Sequence, residues 1–444
     1  MSRIQVKGIN RLPKDDHEKE KNLAPILLSL SDFLIQEGKY REALELCLLG
    51  NEASIKRNKG RYTPDFLLNM ARCNHYIKNV PECRRLLQYT YFGFSLMRRK
   101  EQAEHVRVFA QSIGIQFDTY GVENLMYDNI GPKIAHGESA TGANIGEFIF
   151  NLRKKAGISQ SELCEGVCSQ STLARIERGE IRDNVYFLEA FMQRLGRDIN
   201  KYFSTFLSKE EFMAKQMRDE VNSRLVTLKF ESAAELLVEL KEKKSYKNGF
   251  GLQFVKGAEA TIFASREGWD NPRYLKMLED ALKITKPKFD EKMVDRYRLT
   301  YQEIILVNEI AMYYCESKKL SRGIRLFERL RDSMDDHYVD EHEKMRMYTL
   351  VLYNCSKYMG QKERYAEALE IVTEGENLEL KHRQLTLLPS FAINRACCML
   401  ETGKKKESVP YFALAYYGFA LLGESFNQQA TANYVEEHLE MVFD

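Results

Sequence analysis

Between residues 23 and 118 apolar side chains recur at steps of three and four. Leu27, Leu28 and Leu30 are followed by Phe33 and Leu34; Gly38 interrupts; Tyr40-Arg41-Glu42-Ala43-Leu44-Glu45-Leu46 opens a second helix. Phe66-Leu67-Met70 and Leu86-Leu87-Tyr91 continue the alternation, so the segment predicts helix pairs. Further on, Ile145, Phe148, Ile149 and Leu152 share one helical face that Gly157 ends. Ser159-Gln160-Ser161-Glu162 has the form of a capping box and starts the next helix. Gly166-Val167 makes a short turn, and Ser169 caps a third helix that carries Leu173 and Ile176 inward and stops at Gly179. Leu188, Phe191, Met192 and Leu195 predict a fourth. Helix pairs return from Ser208-Lys209-Glu210-Glu211, a further capping-box pattern, and run to the end.

These patterns give an all-α chain divided into a polar tail (1–22), helical repeats (23–118), a linker (119–143) containing Gly131-Pro132 and the run HGESATGAN, a compact block (144–203) and a second repeat region (204–444).

The two repeat regions are related. KYREALEL at 39–46 matches RYAEALEI at 364–371, DFLLNMARC at 65–73 matches SFAINRACC at 390–398, and YFGF at 91–94 matches YYGF at 416–419. All three pairs are 325 residues apart, and the same shift sets Pro64 on Pro389 and Gly50 on Gly375. Without a gap, 27–118 and 352–443 share 20 identities in 92 positions, too many for composition alone. The N-terminal repeats are thus a second copy of the C-terminal ones. The unit is two helices of about 40 residues in all, the size of a solenoid repeat. Units fall at Tyr301–Arg331, Tyr348–Gly375 and Pro389–Leu421, after two less regular pairs between 211 and 285. With Ser356 and Ala396 on first helices and Ala368, Phe412 and Ala415 on second helices, they resemble degenerate tetratricopeptide (TPR) repeats. Stacked pairs bury a continuous core and leave a concave groove.

Composition narrows the function. Lys and Arg number 66 against 64 Asp and Glu, so any basic surface is local rather than global. The central block is itself nearly balanced, nine to eight, whereas residues 1–121 carry 20 basic against 14 acidic side chains. No apolar run has the length of about 18 residues that a membrane helix needs, and the polar N-terminus lacks a signal core, so the expected location is cytoplasmic. Nine scattered Cys fit reduced, packed residues better than a disulfide framework, and Cys164 and Cys168 lack further ligands for zinc. No phosphate-binding loop, metalloprotease motif or nucleophile elbow is present, and GFGLQF at 249–254 is no dinucleotide fingerprint; neither an enzyme nor a cofactor is expected.

The chemistry lies at 144–203. Two short helices joined by a tight turn, the second capped and rich in small polar residues, form a helix-turn-helix. The string S-Q-x-E-L … S-Q-S-x-L-x-R-I-E-R-G resembles the phage-repressor-like (Xre) helix-turn-helix family over about 60 residues. The short form EGVCSQSTLARIERG, with a turn one residue shorter than is common, resembles the peptide-responsive PlcR/NprR/Rgg (RRNPP) superfamily, whose members join this domain to TPR-like repeats. This chain departs from them in the residues that precede its helix-turn-helix.

A recognition helix places its first turns in the major groove. Gln170 can bond an adenine edge in bidentate fashion, Arg175 can reach guanine or a phosphate, and Ser169, Ser171 and Thr172 face a base edge or phosphate. Gln160 begins a helix where free N–H groups favour phosphate, and the resemblance implies that it contacts the DNA backbone. Arg178 and Arg182 follow the helix as phosphate candidates. The resemblance also implies an internal ion pair between Arg153 and Glu177.

Asn308, Asn354 and Asn394 recur at one place in successive first helices, in ILVNEIA, VLYNCSK and FAINRAC. Asn is a poor helix-interior residue, so its recurrence needs a reason. One reason is a ladder of amides that holds the backbone of an extended peptide, as groove Asn residues do in the resembled regulators; the other is hydrogen bonding between adjacent repeats. The expected function is a transcription regulator that binds double-stranded operator DNA as a homodimer through its C-terminal repeats and answers to a short signalling peptide. The alternatives are a repeat adaptor that binds proteins without DNA, and a DNA-binding regulator without a ligand.

Overall fold

The computed structural model describes residues 23–125, 145–181, 185–197, 209–337 and 341–443. Every regular element among them is a helix. The chain divides into two compact units, one of residues 1–133 with 376–444 and one of residues 134–375.

In the first unit five N-terminal helices, α1 (Leu23–Gln36), α2 (Tyr40–Asn58), α3 (Thr63–Tyr76), α4 (Val80–Leu96) and α5 (Lys100–Ser112), pack in chain order. Leu27 of α1 is buried, whereas Leu30 and Phe33 stay exposed. The C-terminal part holds α18 (Leu388–Glu401), α19 (Lys405–Leu422) and α20 (Ser425–Leu439), each packed on the next. Shifted by 325, α3 ends where α18 ends, and α4 stops one residue short of α19. The turns keep the register too. Lys78 (φ 62°) and Arg98 (φ 55°) hold left-handed backbone where the other copy has Gly403 (φ 80°) and Gly423 (φ 73°). A non-glycine residue there costs about 1 kcal/mol, so the backbone path of the repeat has outlasted the glycines that favour it. Both copies share one core, in which Leu86, Tyr91 and Phe92 join Phe412, Tyr417 and Leu421. The expected linker begins inside this core: Val122 is buried, and the Tyr120 ring lies 4.9 Å from that of Phe443. Residues 126–143 lie outside the described residues, as does the tail 1–22.

The second unit starts with four short helices, α6 (Ile145–Lys155), α7 (Gln160–Cys164), α8 (Gln170–Glu177) and α9 (Val185–Arg194). Ile149, Leu163, Leu173, Ile176, Leu188 and Phe191 make their core, with Ile145, Phe148 and Leu152 packed against it. Repeat helices follow: α10 (Lys209–Val226), α11 (Phe230–Glu242), α12 (Gly249–Glu267), α13 (Pro272–Lys283), α14 (Tyr301–Glu316), α15 (Leu320–His337) and α16 (Glu341–Gln361); the boundary between the units, after Gly375, falls within α17 (Tyr365–Lys381). The pairs α10–α11, α12–α13 and α14–α15 pack as hairpins, as the two-helix period requires. The capping-box pattern at Ser208 lies outside the described residues; Thr300 and Glu303 make such a box at the start of α14. All nine Cys are free thiols, and burial pushes Cys47 up to about 12 and Cys73 to about 11, which leaves little thiolate at neutral pH.

Candidate functional site

The helix-turn-helix is built from local signals. Ser159 accepts the Glu162 N–H at 3.2 Å while the Glu162 carboxylate accepts the Ser159 N–H at 3.0 Å, closing the box that starts α7. That N–H holds the Glu162 carboxyl below its ordinary range. Ser169 accepts the Thr172 N–H at 3.1 Å and starts α8. Gly157, Gly166 and Gly179 end the segments in left-handed backbone. At Gly166 a side chain has no room, because a Cβ would lie 1.9 Å from the Thr285 carbonyl oxygen.

The block is pinned from within. Arg153 and Glu177, nearly inaccessible, face each other with two bonds of 2.6 and 2.8 Å, and Arg153 also donates to the Ile158 carbonyl at 3.0 Å. The Glu177 carboxylate raises the Arg153 pKa against the opposing effect of burial. The ion pair implied by the resemblance is therefore present.

The face expected to meet DNA is open. Ser169, Gln170, Ser171, Arg175 and Arg178 are exposed, and Thr172 and Gln160 are half-buried. Their present partners are internal. Gln160 donates its amide to Glu177 at 2.8 Å, Ser169 shares hydrogen bonds with Ser171 and Thr172 at 2.8 Å, and Arg178 pairs with Glu180 at 2.5 Å, with Arg175 3.7 Å from the same carboxylate. Arg178 holds the Glu180 carboxyl below its ordinary value. Glu180 was not expected at this surface. It lies against both arginines, and its place three residues after Glu177 in RIERGE was the available signal. Arg182 lies outside the described residues. A shallow depression lined by Phe150, Arg153, Lys154, Ser159, Gln160, Ser161 and Gln170 joins the starts of α7 and α8. Lys154 is a further cation here that motif reading passed over, although it stands in a run of three, Arg153-Lys154-Lys155.

The block is tied to the repeats of its own unit by buried charge. Arg194, at the end of α9, donates to the Leu163 and Glu165 carbonyls at 3.0 and 2.7 Å and to the Glu303 carboxylate at 3.1 Å, with both side chains at most 1% exposed. Burial alone would raise the Glu303 pKa; the Arg194 and Lys286 charges and the Thr300 N–H outweigh it and hold the carboxyl ionised. Thr285 donates to the same carboxylate at 2.7 Å, and Lys286 pairs with Glu165 at 2.7 Å. Glu303 begins α14, the helix that carries Asn308.

Of the recurring asparagines, Asn308 and Asn354 meet. The Asn354 amide donates to the Asn308 carbonyl at 3.1 Å, and the Asn308 amide lies 3.5 Å from the Met312 sulfur. Asn394 is on α18 in the first unit, at 9% exposure. Its duplicate Asn69 donates to Ser31 at 3.0 Å and Asp32 at 2.8 Å on α1, so Asn69 and Asn354 each bond an earlier first helix.

Comparison with known proteins adds two matches of domain type. The RNPP family C-terminal domain matches residues 285–439, and a helix-turn-helix domain matches 145–200. No curated protein matches the chain. Among solved structures, the chain is similar to Bacillus thuringiensis PlcR in complex with the peptide PapR7 and DNA, at 20% identity over 65% of this chain and 99% of that one, TM-score 0.43. It is also similar to ComR from S. thermophilus in complex with DNA and its signalling peptide ComS (17% identity, 65% of this chain and 98% of that one, TM-score 0.41). A third is the Streptococcus dysgalactiae pheromone receptor Rgg2 (16% identity, 66% and 99%, TM-score 0.35). The peptides and the DNA belong to those proteins. No helix among the described residues is long and apolar enough to cross a membrane. By these two matches the chain carries, in order, a stretch similar to a helix-turn-helix domain and a stretch similar to the RNPP family C-terminal domain.

Proposed function

We propose that the protein is a cytoplasmic transcription regulator that binds double-stranded operator DNA through α7 and α8 and is controlled by a short peptide held by its C-terminal repeats. The observation that carries this reading is the exposed edge of α8, on which Gln170, Ser171 and Arg175 stand clear of a core pinned by Arg153 and Glu177. Gln170 and Arg175 read base edges, and Ser169, Ser171 and Thr172 support them. Arg178 and Arg182 hold phosphates, with Arg178 leaving Glu180 to do so, and Gln160 fixes the register from the start of α7. Two chains act together, because one recognition helix spans too few base pairs for useful specificity.

Asn308 and Asn354 are the proposed peptide ligands of the second unit, and Asn394, in the first unit, is proposed only from its matching place in the repeat. An amide offers two N–H groups and two lone pairs, and the bond between Asn354 and Asn308 uses one of each, so the pair retains capacity for a peptide backbone. A shift of α14 on binding would reach the DNA-reading block through Glu303 and Arg194, provided the peptide binds the two positions of α14 with different affinity. A second reading, in which the asparagines only tie repeats together, is favoured by the bonds of Asn354 and Asn69 to an earlier first helix. Reporter output from the protein's own promoter, measured with and without culture supernatant for the native chain and for Asn354→Ala with Asn394→Ala, separates them. A response that the double substitution abolishes supports the peptide site; an unchanged response leaves the structural ties.

A further inference from the structure

The duplicated repeats are not spent by this function, and their contact has a specific symmetry. In the first unit α4 packs on α19, and residues 325 apart meet their own duplicates. The Phe92 ring stacks on that of Tyr417, 4.0 Å between centroids and 9° from parallel. Gly60 faces Leu385, so closely that a Cβ on the glycine would lie 2.9 Å from the leucine's. The flanking contacts exchange roles. A methyl at Gly93 would meet Pro64 of its own copy at 2.9 Å and Leu421 of the other at 3.0 Å. A methyl at Gly418 would meet Pro389 of its own copy at 2.6 Å and Leu96 of the other at 2.8 Å. Shifting each member of the first set by 325 yields the second.

A contact in which i meets j and j meets i, with self-paired residues at its centre, is the isologous contact of a two-fold dimer. Here both halves belong to one chain. It is sealed by bonds that break the symmetry: Gln88 donates to the Tyr417 hydroxyl at 2.6 Å where the other copy has Ala413, the Leu385 N–H donates to the Lys59 carbonyl at 2.8 Å, and Arg98 pairs with Glu376 at 3.2 Å. We propose that residues 23–125 are a built-in partner, covering the face of α18–α20 that would otherwise pair with the same face of a second copy of this chain. Any association of two chains on DNA then uses a surface other than this face of α18–α20.

Opening the contact from the N-terminal side alone should therefore free a self-complementary face. The full-length chain is compared by light scattering with Phe92→Asp, with the milder Gln88→Lys, and with Phe92→Asp combined with Tyr417→Asp, circular dichroism checking that each is folded. The expected result is a doubling of mass in either single variant that the double variant loses. Folded single variants with the native mass overturn the proposal. A second measurement covers failure to fold: Gly60→Cys with Leu385→Cys, oxidised and run unreduced, should give a bond within one chain at monomer mass. A covalent dimer at these positions means that the contact is made between chains and overturns the proposal.

Discussion

Asn354 donates its side-chain amide to the Asn308 carbonyl oxygen at 3.1 Å, and the two residues are 4% and 3% exposed. A buried acceptor that loses its donor costs about 1–3 kcal/mol. Asn354→Ala is therefore expected to lower the thermal midpoint of unfolding, as is Asn308→Ala. Because the two share one bond, the double substitution should cost less than the sum of the singles by about 1 kcal/mol. Additive losses in that cycle would show that the bond carries no stability.

The Arg153–Glu177 pair predicts an asymmetric response to substitution. Glu177→Ala strands a buried guanidinium and removes the acceptor of Gln160, a loss of about 3–5 kcal/mol, enough to unfold the DNA-reading block. Arg153→Met with Glu177→Leu should recover most of that stability, read by chemical denaturation. DNA binding should not return with it, because Gln160 still lacks its partner.

Base reading and phosphate holding are separable. Gln170→Ala is expected to cost about 1–3 kcal/mol on the best operator and to relax preference at one base pair. Arg178→Ala should instead weaken all sequences alike and reduce the slope of log affinity against log salt by about 1. Anisotropy titrations on operator and scrambled duplexes at several salt concentrations distinguish the two.

Glu309 gives a pH dependence. Burial pushes its carboxyl up to about 7, against the bonds donated by Tyr274 at 3.0 Å and Thr261 at 3.2 Å. A carboxyl whose folded pKa lies above its unfolded one favours folding while protonated and opposes it once ionised. Its contribution thus falls as pH rises from the unfolded value of about 4.3 through 7, by roughly 1–3 kcal/mol for a half-buried group. Glu309→Gln should stabilise the protein at pH 8 and change little at pH 4, measured as the difference in denaturation midpoints.

What the sequence made legible was local or periodic. The capping box of α7, the Ser169 cap of α8, and the glycine stops and small polar residues around them act within a few positions of one another, and the shift of 325 is visible wherever the copies kept their residues. What it hid depends on which surfaces meet. Arg194 and Glu303 are 109 positions apart and become a pair only when α9 reaches α14. The identities that flank Phe92 and Tyr417 announced two copies without saying that they face each other across a two-fold contact. Gln160 reads as a DNA contact from its place in the motif, and its bond to Glu177 appears only once α7 and α8 are packed.

The central claim is that the exposed edge of α8 enters duplex DNA. Its most direct test is anisotropy of the full-length chain on a labelled duplex from its own promoter, from low to physiological salt. The account predicts saturable binding that prefers that duplex over a scrambled one, falls linearly in log affinity with log salt, and weakens when Gln170 or Arg175 is replaced by Ala. No binding at low salt, or binding indifferent to both substitutions, would contradict it.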